Sequence, residues 1–232
     1  MNGMLTGMRL AVTVLILAAS AGTSRADDLI LGSAYKNPWS SWDAYSYKRI
    51  EGQVRARTRA AVNPSSSGSG GASADVQHRP LSATDFKRVA KGRPALDRYM
   101  ASIQLTGSQA AQFRAALDAA LGQIELQVRK DNVATSMGVL IVASTFVLRG
   151  AEVDNPTQDR LVAGLNDVLA ADPGFNKLKA RDKQLMSDTM LVQASVMIML
   201  ATAGDANAKA VSQTAAREAL RFLTGSELGI AP

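Results

Sequence analysis

The sequence predicts an all-α protein, a helical bundle of about six helices with two apolar helices at its centre. Aromatic residues make up only 5% of the 232 residues, whereas 47% are hydrophobic, and this balance, with Ala and Leu abundant, favours helix over sheet. Two segments, Val133–Leu148 and Met190–Ala201, carry almost no charge between their ends. A helix that is apolar on all sides is buried in a bundle or in a membrane, and both segments are shorter than a membrane span.

Capping and breaking residues divide this domain into its elements. Residues 82–85 supply caps for a first, short helix that carries Phe86, Val89 and Ala90. Gly92 and Pro94 interrupt it, and a helical face follows from Leu96. Ser108 caps the second helix, whose apolar residues recur at spacings of three and four. The same signals, including a left-handed cap at Gly150 and a first-turn proline at Pro156, predict the other helices at Val133–Leu148, from Asn155 to Asp172, at Lys179–Ala203 and at Asp205–Leu223.

The first 26 residues have the composition of a secretory signal peptide. Arg9 precedes an uncharged run, Leu10–Ala21, and small residues occupy the −3 and −1 positions of a cut after Ala26. An uncleaved anchor is the weaker alternative, because a spanning helix needs about 20 apolar residues. We therefore predict a periplasmic or secreted protein, with cleavage of the signal peptide near Ala26.

Composition divides the chain into a signal peptide (1–26), an aromatic and basic N-terminal arm (27–61), a Gly/Ser-rich flexible linker (62–83) and a helical bundle domain (84–232). The arm contains both Trp residues and three of the four Tyr residues before Lys48. Because Trp and Tyr dominate interface hot spots, the arm is interpreted as a docking segment; the alternative is that it packs back on its own bundle. The candidate partner-binding residues are Tyr35, Trp39, Trp42, Tyr45 and Tyr47.

Charge argues against nucleic acid as the partner. The formal net charge of +6 falls to +4 (24 − 20) once Arg9 and Arg25 leave with the signal peptide. Nucleic-acid-binding proteins usually carry a stronger basic face. The basic residues gather in Lys48–Arg59, which is interpreted as a solvated basic arm or as a contact for anionic lipid or an acidic partner.

Residues that usually carry catalysis or bind metals are scarce. The absence of Cys excludes disulfides, thiolate catalysis and Cys-ligated metal centres, and the single His lies in the predicted linker, at His78. The catalytic motifs G-x-S-x-G and H-E-x-x-H are also missing. We predict a non-enzymatic protein without a cofactor. Four Met residues suggest a copper site as a minor alternative to ordinary core packing: Met186, Met190, Met197 and Met199.

A buried polar cluster is predicted where the two apolar helices begin. Asp131 and Asn132 precede the first of these helices, and Gln184 lies at the head of the second. Asn132 is expected to cap its helix, with anion binding at that helix end as the alternative. We predict that Gln184 reaches the Asp131-Asn132 end across the bundle and fixes the helix register, and the alternative is a polar cluster that binds a ligand.

Several of these features follow one another in a fixed order. Asp131–Ala134 opens an apolar helix that ends at Gly150, a helix with Gln158 follows, then Asp172–Phe175, and Gln184 heads the second apolar helix. This order resembles the exported bacterial helical family catalogued as domain of unknown function 6683, over roughly residues 86–204, about half of the chain. The resemblance implies export and an all-α domain, and it implies no activity.

The predicted function is binding or scaffolding of a protein partner in the cell envelope or in a secretion system. A first alternative is a lipid or small-ligand carrier that uses a cavity between the two apolar helices. A second alternative is an enzyme of unrecognised type, which needs a pocket with convergent polar groups and a perturbed ionisable residue. Membrane insertion is a remote further alternative.

Overall fold

A computed structural model describes residues 50–58, 78–89, 91–103 and 105–225. The regular structure of these residues is helical apart from one isolated bridge between Asp85 and Asn132, which confirms the all-α prediction. The elements are α1 (50–58), the 3-10 turn η1 (Leu81–Thr84), α2 (Pro94–Ser102), α3 (Gly107–Gln127), α4 (Val133–Arg149), α5 (Asn155–Ala171), α6 (Pro173–Lys177), α7 (Ala180–Thr202) and α8 (Ala206–Thr224).

Helices α4 and α7 form the centre of the bundle, as the sequence predicts. Every residue of α4 from Val133 to Thr145 is buried, and α7 is buried almost continuously between Met190 and Leu200. The Ser136 and Ser187 hydroxyls share a hydrogen bond of 2.6 Å near the beginning of both helices. Towards their ends, α4 and α7 line one cavity, so the two helices run parallel.

The other helices enclose this pair. Helices α5 and α8 pack on α4, α8 also packs on α7, and α2 and α3 cover α7 from a further side. The close approach of α5 depends on Gly138, because a methyl group at this position would lie 2.7 Å from Cγ2 of Val162.

The predicted helix boundaries hold where a capping residue defines them. The side chain of Asn132 accepts a hydrogen bond of 2.8 Å from the Thr135 N–H at the beginning of α4, and Gly150 ends α4 at a φ of +67°. Asp154 caps α5, one residue before the predicted start, and Asp205 caps α8. These caps satisfy backbone groups that a helix end leaves without an internal partner.

The first predicted helix is wrong in its N-terminal half. The structure has a 3-10 turn up to Thr84, non-helical chain from Asp85 to Val89, and a helix only from Pro94. The Phe86 N–H donates to the Asp131 carbonyl at 2.9 Å, so this backbone group makes a long-range hydrogen bond instead of one within a helix. Long-range hydrogen bonds therefore override the short helical pattern.

Part of the predicted arm belongs to the bundle. Ile50 and Val54 of α1 are 2% and 0% exposed, and the side chain of Arg57 lies against Gly164 of α5. The end of the predicted linker is also fixed, since the His78 ring bonds Asp167 at 2.7 Å. The predicted signal peptide, Tyr35–Tyr47 and the linker centre lie outside the described residues, and the domain boundaries stay a prediction.

Helix α7 is long and apolar enough to cross a membrane by length and composition. However, 72% of its most apolar window is buried inside the bundle, which is the environment of a core helix. The four Met residues of the copper alternative lie in this core, where each is at most 6% exposed.

Candidate functional site

The strap, which we define as residues 81–89 and 91–93, contacts residues at the beginnings of α4 and α7. A dense set of charged and amide side chains holds it there. We call this set the polar cluster, and its members are Asp85, Arg88, Arg93, Asp118, Glu125, Arg129, Asp131, Asn132, Gln184 and Asp188.

Arg88 is the centre of the polar cluster. Its Nη1 and Nη2 donate to the two carboxylate oxygens of Asp188 at 3.2 and 3.1 Å, and its Nε donates to Asp131 at 3.0 Å. The carboxylate of Glu125 lies 3.7 Å from Nη2. The planar guanidinium therefore joins the strap to α3, to α7 and to the residue before the α4 cap, as bidentate arginine geometry allows.

Asp188 is the most deeply buried acid of the cluster, with 1% of its side chain exposed. Burial raises the pKa of Asp188, and the hydrogen bonds and charge of Arg88 oppose this rise. Because a buried carboxylate without a partner is strongly unfavourable, the ionised form of Asp188 depends on Arg88.

The ion pairs of two further arginines hold the strap near both of its ends. Arg93 donates to both oxygens of Glu125 at 2.7 and 2.8 Å and to Asp118 at 2.8 Å. Arg129 donates to both oxygens of Asp85 at 2.8 and 2.5 Å. Burial alone would raise the pKa of Asp85 and of Glu125, but their hydrogen bonds and the charges of their arginine partners outweigh burial and lower both values.

The three residues predicted to form a buried polar cluster all contact the strap or its arginine. The Asn132 amide donates to the Leu81 carbonyl and to Asp85, each at 2.7 Å. The Gln184 side-chain oxygen accepts from the Val89 N–H at 3.0 Å. Asp131, whose backbone is left-handed at a φ of +52°, accepts from Arg88. The described hydrogen bonds thus link Gln184 to the beginning of α4 through the strap.

Sequence reasoning missed Arg88 and Asp188. They are separated by 100 residues, and no local pattern links them. One signal was available, because Asp188 is the only charged residue of α7 beyond Leu185. A charge in such a position needs a buried partner of opposite sign.

A second candidate site is a cavity of about 260 Å³ between α4, α5 and α7, which we call the α4–α5 cavity. Its walls are buried or half-buried, and its rim consists of the exposed residues around the cap of α5. The walls are formed by Val142, Ala143, Phe146, Val153, Gln158 and Ile198, and the rim by Glu152, Asp154, Asn155 and Pro156.

The beginning of α5 is not available to an anion, although helix N-termini often bind one. Asp154 already accepts from the Thr157 N–H at 2.7 Å through its side chain and from the Gln158 N–H at 3.0 Å through its carbonyl. Pro156 has no N–H to offer. Within the described ranges, no group of three or more His or acidic side chains is arranged to hold a metal ion.

We expect acid to destabilise the fold through Asp85 and Glu125. A carboxylate whose pKa is lower in the folded state contributes stability at neutral pH, and this contribution is lost as pH falls below the ordinary value of about 4. Asp188, with its raised pKa, contributes in the opposite direction. The free energy of unfolding, measured with urea, should decline between neutral and acidic pH. In Glu125→Gln this decline should be smaller. Glu218→Gln, on the exposed face of α8, is the control, and an equal decline in both variants would contradict the assignment.

Comparison with known protein families gives a match over nearly the whole chain. The model of a family of unknown function, DUF6683, matches residues 8–232. The match includes α1 and α8, which lie outside the segment that carries the motif resemblance. No curated protein and no solved structure matched the chain.

Proposed function

Since the chain belongs to the family of unknown function DUF6683, we propose that it is an exported, non-enzymatic helical module that binds or scaffolds a protein partner in the cell envelope. The sequence of the first 26 residues supports export, because its composition is that of a signal peptide. The proposed docking residues are those of the aromatic arm, Tyr35–Tyr47.

The observation that carries this proposal is the burial of α1. Ile50, three positions after Tyr47, is 2% exposed, and Val54 one turn later is fully buried. Arg55 forms an ion pair with Glu51 and donates to the Arg221 carbonyl of α8 at 3.5 Å. A partner held by the arm would therefore be joined to the bundle through a packed helix.

The polar cluster supports a role without catalysis. Perturbed ionisable groups are candidates for chemistry, but structural ion-pair networks perturb pKa values as well. In the strap, both guanidinium edges of Arg88 and the bidentate face of Arg93 are engaged by carboxylates of the same chain. These contacts therefore favour a structural role, in which the polar cluster fixes the strap, rather than a catalytic role.

Affinity capture tests the docking arm. The tagged mature chain is cross-linked in its native envelope, and captured proteins are identified by mass spectrometry beside two variants. Trp39→Ala/Trp42→Ala should lose the partner, because Trp side chains supply much of the energy of an interface. Val89→Ala/Leu126→Ala removes two exposed apolar side chains of the bundle, 61% and 71% exposed, and should retain it.

Two results would contradict the docking arm. Loss of the partner only from the Val89→Ala/Leu126→Ala variant would move the interface to the bundle. Capture of the same background proteins by all three chains would argue against a protein partner altogether.

The α4–α5 cavity favours a second candidate function, that of a small-ligand carrier. Its volume of about 260 Å³ lies just below the roughly 300–1,000 Å³ of pockets for drug-sized ligands, and its walls are mainly apolar. This size favours a small apolar ligand over a lipid. Mass spectrometry of molecules released when the purified chain is denatured tests this function, which predicts a stoichiometric small molecule.

A further inference from the structure

We propose that the α4–α5 cavity binds a small, neutral aromatic molecule of about the size of indole that carries one N–H or O–H donor. This inference rests on the second candidate function, the small-ligand carrier. Three properties of the cavity lead to it: its volume, one side-chain acceptor in its wall and the charge of its rim.

The volume selects the size of the ring. An apolar cavity of about 150 Å³ in another protein holds one benzene molecule. The α4–α5 cavity, at about 260 Å³, is more than half as large again, which corresponds to a bicyclic ring such as indole. Phe146 and Ile198 offer the flat and branched apolar surfaces against which such a ring packs.

The side chain of Gln158 supplies the acceptor. Gln158 is 6% exposed and lines the cavity, and its Nε2 donates to the Val153 carbonyl at 2.6 Å. This bond fixes the orientation of the amide, and among the described residues the structure records no donor to its Oε1. A ligand seated against this oxygen would shield it from water, and a carbonyl oxygen shielded in this way is costly without a hydrogen bond, so a ligand N–H or O–H would satisfy it.

The rim disfavours an anion. Glu152 and Asp154 line the cavity, and no Lys or Arg stands among its described lining residues. The capping hydrogen bonds from Thr157 lower the pKa of Asp154, and the charge of Arg160 lowers it further. Arg160 donates to the Thr157 hydroxyl at 2.8 Å, so it offsets part of the acidic charge from outside the cavity.

Calorimetric titration of the purified mature chain with three probes tests the ligand class. Indole should bind measurably. We expect 1-methylindole, which lacks the N–H, to bind at least tenfold more weakly, and indole-3-carboxylate to show no binding. Similar affinities for indole and 1-methylindole would overturn the role of Gln158 as the acceptor. Tighter binding of indole-3-carboxylate than of indole would overturn the inference that the rim disfavours an anion.

Two variants locate the binding in the cavity. Ala143→Phe fills it and should abolish indole binding, whereas Ala119→Phe, the same change on the exposed face of α3, should leave binding unchanged. Since Ala143→Phe crowds the core, its unfolding midpoint is measured first. Gln158→Met nearly preserves volume, and it should reduce the affinity for indole to that for 1-methylindole. Unchanged indole binding in Gln158→Met overturns the proposal.

Two further results separate this inference from its premise. If the denatured chain releases a small molecule but indole does not bind, the ligand class is wrong and the carrier function stands. If nothing is released and no probe binds, both are wrong. At least tenfold tighter indole binding by Trp39→Ala/Trp42→Ala would mean that the chain's own Trp competes for the cavity, which would overturn a free ligand.

Discussion

Replacing Arg88 by Met is expected to lower the free energy of unfolding by about 3–5 kcal/mol, the usual cost of leaving one partner of a buried ion pair alone. Asp188 would keep its buried position but lose both hydrogen bonds from the guanidinium. Urea unfolding followed by circular dichroism measures the change. The deficit should shrink at low pH, because a carboxylate with a raised pKa opposes folding less once it is protonated.

The exposed pair of Arg114 and Asp97 provides the control, since 47% and 59% of their side chains are accessible. Arg114→Met should cost at most about 1 kcal/mol, as surface ion pairs generally do. The double variant Arg88→Met/Asp188→Leu should recover much of the lost stability, because an apolar pair of similar volume replaces the buried charges. A double variant no more stable than Arg88→Met would contradict the ion-pair explanation.

Phe175→Ala is expected to lower the free energy of unfolding by about 3–5 kcal/mol, the range for removing a buried aromatic side chain. Phe175 is fully buried in the short helix α6, which joins α5 to α7. The ammonium group of Lys183 lies 4.3 Å from the centre of its ring, so the variant also loses a cation–π contact. The loss of contacts and the resulting void act together.

The same unfolding measurement checks Phe175→Ala against Leu126→Ala. Leu126 is 71% exposed, and its removal should change stability by at most about 0.5 kcal/mol. Equal stabilities of the two variants would show that α6 contributes little to the core. If Phe175→Ala kept the urea midpoint of the unsubstituted chain but had a lower dependence of the unfolding free energy on urea concentration, its denatured state would have changed instead.

The helices of the bundle could be predicted because their signals are local. Asn132 and Asp154 cap their own helices, and Gly150 ends α4 in the left-handed conformation that glycine adopts without strain. The two central helices were visible because the segments Val133–Leu148 and Met190–Ala201 carry almost no charge between their ends. Such features lie within a few residues of the structure that they determine.

The strap could not be predicted in the same way. Phe86 and Val89 have the spacing of a helical face, yet Phe86 is buried and Val89 is 61% exposed. Their backbone groups bond Asp131 and Gln184, which are distant in sequence. The helix propensity of so few residues stabilises a helix less than these long-range hydrogen bonds stabilise the observed conformation. Tertiary contacts therefore decide the conformation of the strap.

The candidate sites were predicted in part for the same reason. Asn132 and Gln184 stand at helix ends, where a polar residue next to an apolar run is conspicuous in the sequence. The α4–α5 cavity has no such mark, because Val142, Val153 and Ile198 look like ordinary core residues. The size of a cavity depends on the packing distances between three helices, and all their side chains together determine these distances.

The long reach of the strap also affects the order of events during synthesis. Arg88 must bind Asp188, made 100 residues later, and His78 must bind Asp167, made 89 residues later. Contacts of such separation slow folding, because the intervening loop must close before they form. When the ribosome has released the strap, α7 does not yet exist. The domain therefore completes its folding only after α7 is made, and such late folding would suit the export that we propose.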